Sequence, residues 1–333
     1  MFAVNAILPI ILLIILGYFL KRKKFLSEDF FKKANKFVFK VCLPLLLFYN
    51  VYNIDSFSDI NWSVVLYSEI AILVFFFLGL LFVKLFVKDS KQKGVILQCV
   101  FRSNFAIIGL PLAESLGGDV GKGIAAILSA FSIPTFNILA VIALSIFIKN
   151  EGEKTNIKDV LIKIVKNPLI IGVACGLVVL AIRSLIPTDS EGVLKFSIEN
   201  DITFLYTAVG NVGKIASPLA LIVLGGLFDF SAVKGMLKEI IMGTVLRIAV
   251  VPFLGIGVAI ILSKYTNILN FDYTVYPALI ALFGSPVAVS SAIMAGEMDN
   301  DGELAGQLVI WTSLFSIVTL FAIVVILKQM ALL

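Results

Sequence analysis

Long apolar stretches follow one another along the whole chain and dominate what it can fold into. At about 20 residues each they are long enough to cross the hydrocarbon core of a bilayer as helices. Their bounds are 2–20, 37–54, 62–87, 94–116, 121–148, 167–186, 202–228, 236–263, 274–296 and 304–327. The chain is 60% hydrophobic and only 15% charged, more apolar side chain than a water-exposed fold can bury. The sequence therefore predicts an all-α, multi-pass membrane protein with ten transmembrane helices.

Basic residues are spread unevenly over the loops between these spans. Eighteen Lys and Arg residues lie in the odd-numbered loops, against five in the even-numbered loops and at the C-terminus. Because positively charged loops stay in the cytoplasm, we expect both termini outside it, in a plasma membrane or bacterial inner membrane. The net charge of +5 follows from this loop bias, so we expect membrane lipid and no nucleic acid as a partner.

Two distant segments, 40–47 and 214–221, both read K-x-x-x-P-L-x-L. The same offset brings spans 3 to 5 close to spans 8 to 10, and it brings Pro111 within one residue of Pro286. Each half has five spans, an odd number, so the second half must enter the membrane upside down. The pattern predicts a 5+5 inverted repeat, with halves 1–150 and 167–330, as in many secondary transporters.

Spans 4 and 9 each carry a proline close to a glycine, Pro111 with Gly109 and Pro286 with Gly284. Proline removes a backbone donor and clashes with the preceding turn, so we expect both helices to be broken. Such breaks survive in a membrane where protein or a water-filled cavity satisfies the freed backbone groups. The N-termini of half-helices suit an anion. Polar candidates beside the breaks are Asn104, Ser285 and Ser290.

The order and spacing of several motifs resemble the auxin efflux carrier family. This family includes plant auxin exporters and bacterial carriers of dicarboxylates such as malate and malonate. The motifs are the opening Ile7-Leu-Pro-Ile-Ile to Gly17-Tyr18, Lys40-Val-Cys-Leu-Pro44, Asn104-Phe-Ala-Ile-Ile-Gly109-Leu-Pro111, Asn137, Ser217-Pro218-Leu-Ala-Leu and Ala295-Gly-Glu-Met-Asp-Asn-Asp-Gly-Glu303. The long central cytoplasmic loop of the plant exporters is absent, because 149–166 is short.

The resemblance implies a fold like that of bile-acid sodium symporters and sodium/proton antiporters. A scaffold unit from 1–54 and 167–228 would hold a moving transport unit from 62–148 and 236–327. The resemblance also implies that Asn104 and Asn137 line the substrate site.

Ionisable residues inside spans are costly and are functional candidates by default. Lys214 lies about twelve residues into span 7, where it could attract an anionic substrate or be held by helix-end carbonyls. Arg102 and Glu69 are candidates for ion coupling or for a charge pair. The sequence has no histidine, and we expect no metal site and no cofactor. Whether Na⁺ or H⁺ is the coupling ion stays open.

The leading hypothesis is a secondary transporter of a small organic anion, a carboxylate or an auxin-like molecule, that works by alternating access. The alternatives are a sodium- or proton-coupled carrier of another solute, and a channel or sensor with the same fold. An enzyme is not expected, since catalytic motifs are missing. A glycine pair in span 6, Gly172 and Gly176, favours close helix packing inside the chain, and a homodimer through the scaffold unit is the alternative.

Overall fold

The computed structural model describes residues 2–53, 61–148, 162, 165–187, 195–229, 231–266 and 268–333, without the side chains of 2–7, 231 and 232. Most of these residues are helical, and among them there is no strand beyond one isolated bridge. The main helices are α1 Phe2–Arg22, α2 Glu28–Tyr52, α3 Trp62–Phe86, α4 Ser90–Phe101, α5 Phe105–Ser145, α6 Pro168–Ser184, α7 Thr203–Leu227, α8 Leu237–Lys264, α9 Tyr276–Gly284, α10 Ser290–Glu297 and α11 Gly302–Gln329.

Six of these helices, α2, α3, α5, α7, α8 and α11, are each long and apolar enough to cross a membrane. An all-helical, multi-pass membrane protein is thereby confirmed for the described residues. At 1.5 Å per residue α5 would measure about 60 Å, twice a bilayer core. It turns at Gly118, where φ is 59°, between predicted spans 4 and 5. The count of ten spans and the inverted relation of the halves stay predictions.

Several helices begin at a polar residue that caps the first turn. The side chain accepts a hydrogen bond from a main-chain N–H two or three residues further on, which satisfies a donor that the helix itself cannot. The capping residues are Ser27 before α2, Asp89 before α4, Asn167 before α6 and Asp301 before α11. Local sequence therefore sets where these helices start.

Three helices contain a wider π-type turn, and each of these turns ends two residues before a proline. The turns are Val38–Cys42, Phe105–Gly109 and Leu246–Val250, ahead of Pro44, Pro111 and Pro252. A proline offers no N–H and its ring displaces the carbonyl one turn earlier, so the helix widens there. Pro111 thus lies inside a continuing helix, and span 4 is interrupted earlier, at 102–104.

The helices pack as two groups. In one, α1 crosses α7, and α2 packs against α6 and α7. A Cβ at Gly172 would lie 2.5 Å from the Pro44 carbonyl oxygen, so the glycine pair of span 6 packs within the chain. In the other, α3 packs on α4 and α5, and α9 on α5 and α8. The division into a scaffold and a moving unit stays a prediction.

Candidate substrate site

Two interrupted helices meet in the interior of the second group. The chain is unwound between α4 and α5 and again between α9 and α10. The main-chain N–H of Asn104 donates to the carbonyl of Pro286 at 2.8 Å. Beside this bond, Ser103 and Val287 form an isolated antiparallel bridge. The unwound segments therefore cross and satisfy part of each other's backbone.

Arg247 of α8 lies on the side of the crossing where α4 and α9 end. Its side chain is 1% exposed. The guanidinium donates to the carbonyls of Val100 at 3.1 Å and of Ser285 at 2.7 and 2.9 Å, with longer bonds to Leu282 and Phe283. Helix C-termini carry partial negative charge, so one cation stabilises both ends. Sequence reasoning did not place Arg247 in the site, although an intramembrane charge is itself a signal.

Arg102 lies on the opposite side of the crossing, where α5 and α10 begin. Its Nη2 donates to Asn137 Oδ1 at 2.8 Å and to Ser290 Oγ at 2.9 Å, and its Nη1 approaches Met294 Sδ at 2.6 Å. The side chain is 3% exposed, and no carboxylate among the described residues forms an ion pair with it. A guanidinium has five N–H donors. These contacts use three of the five N–H donors, so two donors remain for a ligand.

A cavity of about 70 Å³ adjoins Arg102 between the two groups of helices. On the side of the crossing it is lined by residues 102–107, Ile133, Phe136, Asn137 and 288–290. On the other side it is lined by Leu43, Leu46, Leu47, Asn50, Leu169, Ala216, Ser217 and Ala220. Arg102 is the one charged side chain among these residues. The cavity is therefore a small, largely apolar chamber with a single buried cation.

The first turns of α5 and α10 also border this cavity. The first N–H groups of a helix have no partner within it, and its N-terminus carries partial positive charge. In addition, Asn104 Nδ2 and Ser103 Oγ are buried without a hydrogen-bond partner among the described residues. Free donors, two helix N-termini and a guanidinium converge on one chamber. That combination suits an anion.

The structure brings four of the sequence-predicted site residues together at this cavity: Arg102, Asn104, Asn137 and Ser290. Three others, Gly284, Ser285 and Pro286, lie in the crossing behind it, where the Ser285 and Pro286 carbonyls accept the bonds described above.

The remaining predicted site residues do not line the cavity. Gly109 packs against the carbonyl of Ala281, and Pro111 is exposed on α5. Lys214 is exposed on α7. Glu69 of α3 accepts a hydrogen bond from Thr135 Oγ1 at 2.6 Å, so it binds a neighbouring helix and not the crossing. The Pro286 carbonyl accepts a hydrogen bond from Asn104, whereas Pro111 lies further along the chain, inside α5.

Asn50 and Ser217 were not predicted as site residues, yet both line the cavity. A signal for Asn50 was present in the sequence. It follows Leu43, Leu46 and Leu47 at the spacing of one helix face, so a polar residue ends an otherwise apolar stripe. The sequence could not reveal that this stripe faces Arg102.

A second, larger cavity of about 580 Å³ lies between the ends of the two groups, on the side predicted to be cytoplasmic. It is bordered by charged residues, among them Lys21, Lys32 and Glu303. Asn35 Nδ2 of α2 donates to Glu297 Oε1 of α10 at 2.8 Å and links the groups across it. This cavity leads toward the first turn of α10, which also borders the small chamber.

Comparison with known proteins points to membrane transport. Residues 2–324 match the family model described as "Membrane transport protein". An uncharacterized transporter of Methanothermobacter thermautotrophicus is 24% identical over 322 residues, which cover 95% of each chain. The uncharacterized transporter YfdV of Escherichia coli K12 is 24% identical over 310 residues, covering 90% of this chain and 89% of YfdV. The chain belongs to the membrane transport protein family, the auxin efflux carrier family that its motifs resemble.

Proposed function

We propose that this membrane transporter carries a small organic anion, and that Arg102 binds the anionic group. The observation that carries the proposal is a buried guanidinium without a carboxylate partner among the described residues, beside a cavity that two helix N-termini also face. A buried charge is costly unless it is paired. A carboxylate ligand would supply the missing counter-charge and would accept the free donors of Arg102 and Asn104.

The size of the cavity favours a short acid. A cavity needs roughly 10–15 Å³ for one water molecule, so the 70 Å³ chamber holds about five to seven non-hydrogen atoms. Acids of three carbon atoms have this size. An auxin-like molecule, with an indole ring as well as its carboxylate, is about twice as large and fits less well.

Movement of one group of helices against the other would carry the anion across the membrane. The small chamber lies between the two groups, and the 580 Å³ cavity opens between the same groups at one end. In alternating access, the chamber would open to this cavity in one state and to the opposite face in the other. The hydrogen bond between Asn35 and Glu297 would then form and break during the cycle.

A carrier of a cation is the main alternative inside the transporter class. Such a carrier needs hard oxygen ligands, usually with a carboxylate. No aspartate or glutamate is among the described residues that line the chamber, and Glu69 binds Thr135 away from it. This distribution of charge favours the anion.

Uptake of radiolabelled short carboxylates into proteoliposomes tests the proposal. Purified wild-type protein is compared with Arg102→Gln and with Lys328→Gln, which removes an exposed cation near the end of α11. We expect Arg102→Gln to lower apparent affinity more than about tenfold, since a hydrogen bond to a charged group contributes about 1.5–3 kcal/mol. Lys328→Gln should transport normally. Unchanged uptake in Arg102→Gln would refute the assignment.

A further inference from the structure

The wall of the chamber that is built from α2, α6 and α7 is almost entirely apolar. Two polar side chains interrupt it, Asn50 of α2 and Ser217 of α7. Both are half-buried, and neither side chain has a hydrogen-bond partner among the described residues. They line the same cavity as Arg102 from the opposite group of helices. These amide and hydroxyl groups are therefore free to bind a second part of a ligand.

The packing of α2 against α7 fixes where the two side chains lie. A Cβ at Gly213 would contact Leu46, and one at Gly210 would contact the ring of Tyr49, so the helices run antiparallel at this interface. Ser217 consequently lies toward one end of the apolar stripe of α2 and Asn50 toward the other, about 10 Å apart at 1.5 Å per residue. Polar groups thus flank the apolar wall at both ends.

The charge of the lining residues restricts what the second group can be. Among the described residues that line the chamber, Arg102 is the one with a charged side chain, and it belongs to the opposite wall. A second carboxylate against Asn50 or Ser217 would be desolvated without a cation, which is strongly unfavourable. A hydroxyl or a carbonyl would instead exchange hydrogen bonds with an amide or a hydroxyl at little cost.

We infer that the substrate is a short monocarboxylate with one uncharged polar substituent, a hydroxy acid or an oxo acid of about three carbon atoms. Its carboxylate binds at Arg102, and its hydroxyl or oxo group binds at Asn50 or Ser217. This inference rests on the proposed function and adds the second point of recognition. It predicts that unsubstituted fatty acids and dicarboxylates bind less tightly than the substrate.

The experiment compares four probes of similar size on the purified full-length protein: propionate, lactate, pyruvate and malonate. Binding is measured by isothermal titration calorimetry at neutral pH. We expect lactate and pyruvate to bind about 2–12-fold more tightly than propionate, since this factor corresponds to one neutral hydrogen bond. Malonate should bind more weakly than lactate.

The double variant Asn50→Leu, Ser217→Ala removes both polar groups, keeps the branching of side chain 50, and breaks no hydrogen bond among the described residues. We expect the ratio of lactate affinity to propionate affinity to fall to about one, whatever the effect of the larger leucine on the binding of both acids. The control Ser184→Ala, at the exposed end of α6, should keep the preference.

Three results would overturn the inference: equal binding of lactate and propionate to the wild type, a preference that survives in the double variant, or malonate as the tightest ligand. Failure of the proposed function gives a different result. In that case no acid binds the wild type, or Arg102→Gln binds every acid as well as the wild type does.

Discussion

The main-chain N–H of Asn104 donates to the carbonyl of Pro286 at 2.8 Å and ties the two unwound segments together. In a membrane, freed backbone groups must be satisfied inside the protein, and here each segment supplies partners for the other. The crossing has two distinct sides. Arg247 binds the helix ends on one side, whereas the helix beginnings on the other side face the chamber.

Replacing Asn104 by alanine should weaken anion binding without loosening the fold. Its side-chain Nδ2 is buried beside the chamber and has no partner among the described residues, so the variant loses no internal hydrogen bond from that group. A hydrogen bond to a charged ligand contributes about 1.5–3 kcal/mol, or about 10–100-fold in affinity. Titration calorimetry with a short carboxylate measures the affinity, and a thermal melt measures the stability of the fold. A large drop in melting temperature with unchanged affinity would contradict this role.

Arg247→Met should destabilise the protein, since it leaves the carbonyls at the ends of α4 and α9 without their shared donor. One buried acceptor left unpaired costs about 1–3 kcal/mol, so we expect a loss of at least about 2 kcal/mol. Thermal unfolding in detergent measures the loss. Arg247→Lys should recover part of it, and Lys264→Gln, near the end of the same helix, serves as a control. A variant with methionine that melts like the wild type would exclude this role for Arg247.

Gly109→Ala should disturb the crossing, whereas Gly123→Ala in the same helix should not. A Cβ at Gly109 would lie 3.1 Å from the carbonyl oxygen of Ala281 and would overlap the ring of Phe105. At Gly123 no atom lies within 4 Å of the added carbon. Overpacking of this kind costs about 1–3 kcal/mol. The melting temperatures of the two variants test whether only Gly109→Ala destabilises the protein. Equal values would show that the crossing accommodates the added carbon without loss of stability.

Lys214→Gln should leave anion affinity within about twofold of the wild-type value. Its side chain is exposed on α7 and does not line the chamber, although its position in the middle of a span suggested a role in binding. Uptake by Lys214→Gln is compared with uptake by Arg102→Gln in the same assay. Equal losses in both variants would place Lys214 in the site.

The sequence by itself determined that this chain is an all-helical membrane protein, and the ends of α3, α6, α7 and α8 lie within two residues of the predicted ones. Long apolar runs predict membrane-spanning helices, but they did not locate the start of α2 at Glu28 or the interruption after Phe101. The cluster of Arg102, Asn104, Asn137 and Ser290 was also predictable in part, because polar and charged residues inside a membrane span are usually functional.

Only the tertiary structure decided which residues meet. The Pro286 carbonyl accepts a hydrogen bond from Asn104, Lys214 does not line the chamber, and Arg247 joins the ends of two helices distant in sequence. Asn50 and Ser217 became candidates only when α2 and α7 were seen against the crossing. Helical periodicity states which residues share a face of one helix. The partner of that face depends on how the helices pack, and packing joins residues that no local pattern connects.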